Sequence, residues 1–279
     1  MSTVEPTVAA TFAFDAPVHR PTLVDVVRSE WLKVRTVRST FWTMAVVFVT
    51  MVGFGALVCF AQVATWDQLS TQQQQANPVN GTASSLSGLL FGQLAMVVVG
   101  VLAITSEYST GGIRSTLVAV PRRGRLVVAK AFVVGLMALV VGTVSSFAAF
   151  FAGQAILATK DFQDTLGDAE VLRAAFGSGL YLAACALFGL GLGLIIRSTG
   201  GGITVAVAAL FVVPPLVGVI PGRWGDEIQK FVTSNAGQVI SETTVSPDRL
   251  GPWAGYLVFT LWWLALVALG TYLLRRRDL

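Results

Sequence analysis

Glu107-Tyr108-Ser109-Thr110-Gly111-Gly112-Ile113-Arg114, followed by Pro121-Arg122-Arg123-Gly124-Arg125, stands between two long apolar runs, Leu86 to Ser106 and Ala129 to Phe151. Each run can cross a hydrocarbon core of about 30 Å at about 1.5 Å per helical residue. A charged turn held between them reads as the connection of a transmembrane helical hairpin. Working outward, the same pattern recurs at Phe41 to Val63, Phe176 to Ile196, Ile203 to Ile220 and Trp253 to Leu274. Backbone groups in lipid must be satisfied within their own segment, so these runs are expected to be helices. The alternating strands of a membrane barrel are absent from the sequence. With 12% of the 279 residues charged and 54% hydrophobic, loops of ordinary polarity cannot hydrate a soluble globule of this size. The expected architecture is an all-α, polytopic membrane protein with six spans over 41–63, 86–106, 129–151, 176–196, 203–220 and 253–274.

Lys and Arg in short loops favour the cytoplasmic side. Arg20, Arg28, Lys33, Arg35 and Arg38 precede the first span, and Arg114, Arg122, Arg123, Arg125 and Lys130 follow the second. Arg197 lies after the fourth, and Arg275 to Arg277 close the chain. These are fourteen of the nineteen basic residues, which places both termini in the cytoplasm and the chain in the cytoplasmic (inner) membrane. No basic start followed by an apolar signal core is visible before Phe41. Residues 1–20, with Pro6 and Pro17, read as a disordered cytosolic tail.

Residues 21–40 carry Leu23, Val26, Val27, Trp31, Val34 and Val37 at near-helical spacing, with Asp25, Arg28 and Arg35 opposite. The spacing predicts an amphipathic helix on the inner membrane surface. Glu30 falls inside the apolar arc and needs a polar partner. Lys33, one turn on, supplies part of it; a docked protein or headgroup water are the alternatives for the rest. In the last outer loop, Trp224, Ile228, Phe231 and Val232 repeat this spacing and predict a short helix at the outer leaflet. Pro214-Pro215 removes backbone donors from the fifth span, whose outer third is expected to break, either as a gate or as a plain kink.

The only histidine, His19, lies in the tail, and Cys59 and Cys185 fall inside spans as packing groups, so no metal site assembles. The excess of basic residues is explained by topology without nucleic acid. No charge occupies a span centre, which argues against an ion relay. The phosphate-cradling G-x-x-x-x-G-K-[ST] loop is missing, because Lys33, Lys130, Lys160 and Lys230 all follow residues other than glycine. Energy for any transport must come from another chain.

The stretch from Glu107 to Lys130 is similar to the E-Y-x-x-G-x-I-R-x-x-L and P-x-R-x-x-x-x-x-x-K run of the permease subunits of ABC-2 type transporters, especially the six-span permeases common in actinobacteria. Ser29-Glu30-Trp31-Leu32-Lys33 resembles that family's entry helix, and Ser234-Asn235-Ala236-Gly237 its loop between spans five and six. The resemblance covers most of the chain. It implies that the loop after span two forms a coupling helix, here about Gly111 to Val120, that seats in a separate cytosolic ABC ATPase subunit. ATP and Mg would be bound by that partner and not by this chain, which is expected to have no catalytic residues. Glu107, Tyr108, Gly111, Gly112, Arg114, Arg122, Arg123 and Arg125 would make the ATPase-coupling surface, with Glu30 and Lys33 contacting it from the entry helix. Gly112 departs from the threonine frequent in the family. The alternative role for these arginines is anchoring the loop at anionic lipid headgroups.

The resemblance further implies a second permease chain, in a homodimer or heterodimer, with Phe91, Gln93, Thr204, Phe211 and Pro214 as pathway candidates. For Gln93, helix packing serves as well. The implied activity is export of a hydrophobic or amphipathic substrate such as a drug, an antibiotic or a lipid. A polysaccharide, a peptide or an ion-linked role fits the same residues. A structural or accessory membrane protein is the alternative class, since it accounts for the spans without a coupling loop.

Overall fold

The computed structural model describes residues 22–36, 38–112 and 123–276. The expected tail 1–20, most of the expected coupling helix, Arg114 and Arg122 lie outside them. Every regular element among the described residues is helical. An entry helix α1 (Leu23–Thr36) leads into α2 (Arg38–Trp66). Two short helices follow, α3 (Thr71–Ala76) and α4 (Gly81–Ser85), then α5 (Leu89–Ser109) and α6 (Arg123–Leu157). The second half holds α7 (Ala169–Ile196), α8 (Thr199–Val207), a π segment (Ala208–Val212), α9 (Val213–Gly218), α10 (Arg223–Phe231), α11 (Thr233–Gln238) and α12 (Pro252–Arg276). Six of these segments are long and apolar enough to cross a membrane: Thr40–Trp66, Leu89–Ser109, Arg123–Lys160, Ala169–Ile196, Thr199–Gly218 and Pro252–Arg276.

The helix ends depart from the hydropathy boundaries for local reasons. Asn80 caps α4 through its side chain, and Leu86 ends that short helix instead of starting α5. The third span runs far past 129–151, because helical backbone bonding continues through polar residues such as Gln154 and Arg125 that a hydropathy window excludes. The run of four glutamines at 72–75 lies within α3, whose N-terminus is capped by a reciprocal Ser70–Gln73 capping box.

The fourth span is the centre of the molecule. In α7, 78% of its most apolar stretch is buried, against 17–28% for the first, fifth and sixth spans, whose outer faces are left for lipid or another chain. Helix α7 packs on α5, α6 and α12, around Tyr181, Leu182, Cys185, Phe188 and Phe259. Its approach to α5 is closer than side chains permit: a Cβ on Gly100 would stand 1.8 Å from the Ala186 carbonyl oxygen, and one on Gly189 2.2 Å from that of Val97. Small residues therefore set this helix pair within the chain.

Span five bulges instead of breaking. Proline at 214 has no N–H to bond the carbonyl of residue 210, and the ladder shifts to an i→i−5 register, with the Val213 N–H reaching the Ala208 carbonyl. The carbonyls released at Ala209 and Leu210 accept hydrogen bonds from Thr233 Oγ1 (2.7 Å) and Ser234 Oγ (2.8 Å) at the start of α11. This meets the demand that backbone at membrane depth be satisfied. On α10 the apolar spacing leaves Trp224, Ile228 and Phe231 exposed on one face, as expected for a helix lying at a bilayer surface.

Candidate functional site at the foot of the second and third spans

Four charged side chains from three helices close into a ring where α1, the end of α5 and the start of α6 meet. Lys130 Nζ donates to Glu30 Oε2 (2.6 Å) and to Glu107 Oε1 (2.9 Å). Lys33 Nζ donates to the other oxygen of Glu30 (2.7 Å) and to Glu107 Oε1 (3.0 Å). Two carboxylates and two ammonium groups cancel, as burial of charge requires. The side chains of Glu30 and Lys130 are 4% and 5% exposed, while that of Lys33 is 44% exposed and forms the open edge.

The sequence folds this way for identifiable reasons. The apolar arc of α1 presents Val26 and Glu30 together to the protein, and Val26 packs with Ile104, Leu126, Leu190 and Leu274 below the ring. Helix α6 starts before the membrane core, which brings Lys130 in two turns from its end. Burial lowers the proton affinity of Lys33, but the Glu30 and Glu107 carboxylates outweigh it and hold the ammonium above its ordinary value.

Around the ring the other expected coupling residues take separate places. Tyr108 is half-buried with the Arg197 guanidinium 5.4 Å above its ring. Gly111 has φ +71°, a left-handed turn where glycine is favoured, and Gly112 follows it. The Arg123 guanidinium donates to the Leu274 carbonyl of α12, and Arg125 is exposed. Of the pathway candidates, Gln93 is buried, accepting from the Tyr181 hydroxyl and from Gln238 Nε2 (3.1 Å). Phe91 is exposed and meets Phe54 edge-on, Thr204 is exposed, Phe211 is partly buried and Pro214 is buried. These five do not form one exposed surface of this chain.

Lys130 is the site residue that sequence reasoning passed over. Its signal was a lysine set among Leu126, Val127, Ala129, Val133 and Val134, which needs a carboxylate as much as Glu30 needs an ammonium. Beside the ring, a cleft of about 570 Å³ opens between α1, α2, α5 and α6. The ring and Thr40, Thr43 and Thr110 form its polar end; Val99, Leu102, Val133, Val134 and Met137 line its apolar part.

Six helices long and apolar enough to cross a membrane, with an ion-paired foot beside a charged loop, define a polytopic helical membrane protein. The family model described as ABC-2 family transporter protein matches residues 26–221, more than half of the chain. The chain belongs to that family, whose members are membrane components of ABC transporters. No curated protein matches it.

Proposed function

We infer that this chain is the permease subunit of an ATP-driven exporter in the cytoplasmic membrane, with both termini cytoplasmic. A separate ABC ATPase subunit docks on the 107–125 loop, binds ATP and Mg, and supplies the energy. A second permease chain completes the pathway, and the cargo is a hydrophobic or amphipathic compound such as a drug, an antibiotic or a lipid.

The observation that carries this reading is the ring of Glu30, Lys33, Glu107 and Lys130. It binds the entry helix to the two segments flanking residues 113–122. A push delivered to that loop therefore acts on α1, α5 and α6 together, because separating them would strip partners from buried charges. A loop that merely connected two spans would not need this reinforcement. Arg114, Arg122, Arg123 and Arg125 offer planar donors to carboxylates of a docking partner.

Purification of the chain from its native membranes in mild detergent, with mass spectrometry of what accompanies it, tests the proposal. A stoichiometric partner carrying a phosphate-binding loop is expected, and Arg114→Glu should lower its recovery while leaving membrane insertion unchanged. Recovery of the folded chain without such a partner would overturn the reading.

A further inference from the structure

Helices α6 and α12 are tied together at the foot of the spans by two arginines. Arg123 of α6 donates to the Leu274 carbonyl of α12, and Arg275 of α12 lays its guanidinium against Gly124 of α6. A Cβ on Gly124 would stand 2.5 Å from Arg275 Nη2, so the missing side chain is what admits the guanidinium. Arg125 follows directly, and Arg276 lies over the Tyr272 ring, 4.7 Å from its centre. Four guanidinium groups from two helices thus gather at one corner of the bundle. No carboxylate among the described residues pairs with Arg125, Arg275 or Arg276. Glu30 and Glu107 are committed to Lys33 and Lys130. Like charges gathered at one place repel one another, and an anion among them relieves the repulsion.

The corner is open from outside: Arg125, Arg275 and Arg276 are all exposed. On α6, exposed Val128 and Phe132 lie about 4.5 and 10.5 Å further along the span than Arg125. On α12, exposed Ala268 and Leu264 lie about 10 and 16 Å further in than Arg275. Each helix therefore carries a cation at the span end and bare apolar surface at membrane depth. We propose that an anionic phospholipid of the leaflet at this end of the spans, one whose headgroup carries no cation, binds at this corner. Its phosphate oxygens accept from Arg125 and Arg275, and its acyl chains lie against Val128 and Phe132 on one side and Ala268 and Leu264 on the other. Guanidinium forks match the spacing of phosphate oxygens, and basic pockets between span ends hold anionic headgroups. A cytosolic protein would meet the guanidinium groups but not the apolar columns, which lie within the span lengths. The assignment goes beyond the transport reading and does not depend on it; of the loop's arginines it takes Arg125 for lipid and leaves Arg114 and Arg122 to the ATPase.

Native mass spectrometry of the full chain, delipidated in detergent and offered phosphatidylglycerol or phosphatidylcholine of identical acyl chains, tests this. Phosphatidylglycerol is expected to be retained as a one-to-one adduct about tenfold more strongly, because choline would set a further cation beside the guanidinium groups. Arg125→Gln with Arg275→Gln should abolish the preference. Arg28→Gln with Arg35→Gln removes the same number of charges from the exposed side of α1 and should leave it intact. Equal retention of the two lipids by the unaltered chain would overturn the proposal. Equal loss of preference in both double variants would do so too, since it would trace the preference to diffuse positive charge. An Arg125→Gln, Arg275→Gln chain that keeps its lipid preference and loses the ATPase would assign the corner to that protein and likewise overturn the proposal. The headgroup comparison uses the unaltered chain and is decisive even if a variant fails to fold.

Discussion

Glu30 and Lys130 stand 100 residues apart, and each is buried where an unpaired charge would be costly. Lys130→Met leaves Glu30 and Glu107 sharing Lys33 alone. Breaking a buried pair from one side costs about 3–5 kcal/mol, so the thermal unfolding midpoint in detergent should fall clearly. Adding Glu30→Gln to that variant should restore part of the loss, because the two residues act through one contact; independent, additive losses would show that they do not. Lys33 gives a pH prediction of definite sign. Its folded-state pKa is raised above the ordinary 10.5, so its stabilising contribution is complete below 10.5 and disappears only as pH rises through the higher native value. Proteolytic release of α1 should therefore show no loss attributable to Lys33 at neutral pH and a loss only in strong alkali. That Glu30 needs a polar partner beyond Lys33 was legible from its place in the apolar arc of α1, with a docked protein and headgroup water both open as that partner. That the partner is Lys130 was not legible, because Lys33 satisfied the local rule and nothing in the residues around Glu30 points to a lysine in the third span.

At the scale of elements, span five shows how a defect in one helix is repaired by another. Thr233→Val together with Ser234→Ala would remove both hydroxyl donors to the Ala209 and Leu210 carbonyls. Each unsatisfied buried acceptor costs about 1–3 kcal/mol. The double variant should lower the unfolding midpoint and speed amide exchange around 205–218, whereas Thr204→Val, which removes only a bond to its own helix at Gly200, should do neither. Pro214-Pro215 announced the disturbance in the sequence. The carbonyls it frees are met by Thr233 and Ser234, about twenty residues on at the start of α11, a stretch whose resemblance to known permeases says nothing of what its hydroxyls bond. The spans themselves were legible because hydropathy reports burial in lipid directly. Their ends were less so: capping at Asn80 and the extension of α6 depend on hydrogen bonds that hydropathy does not register.

For the whole molecule, orientation is the property most open to test. Cys59 and Cys185 are fully buried, so a cysteine introduced elsewhere can be read against a silent background. In intact cells a membrane-impermeant maleimide should label Gln72→Cys and spare Arg125→Cys, with both labelled once the membrane is opened; the reverse pattern would invert the proposed topology. Close packing at the centre gives a second expectation. Gly100→Val pushes side-chain atoms into the Ala186 backbone, and because α5 and α7 are both held on several sides, the strain cannot be relieved by one rotamer. Loss of monodisperse protein is expected, whereas Gly53→Val, with open space around it, should behave as the parent chain.

Helix α6 has 35 residues, roughly 50 Å at helical rise, and so outreaches the hydrocarbon layer on both sides. One end bears Lys130 and Arg123; near the other, Gln154 donates to Ser85 and receives the Asp164 N–H. A continuous helix without a proline between these clamps is a lever. A rotation too small to disturb its packing at mid-membrane moves both tips in opposite senses, so the two surfaces of the bilayer are mechanically in register through a single rod.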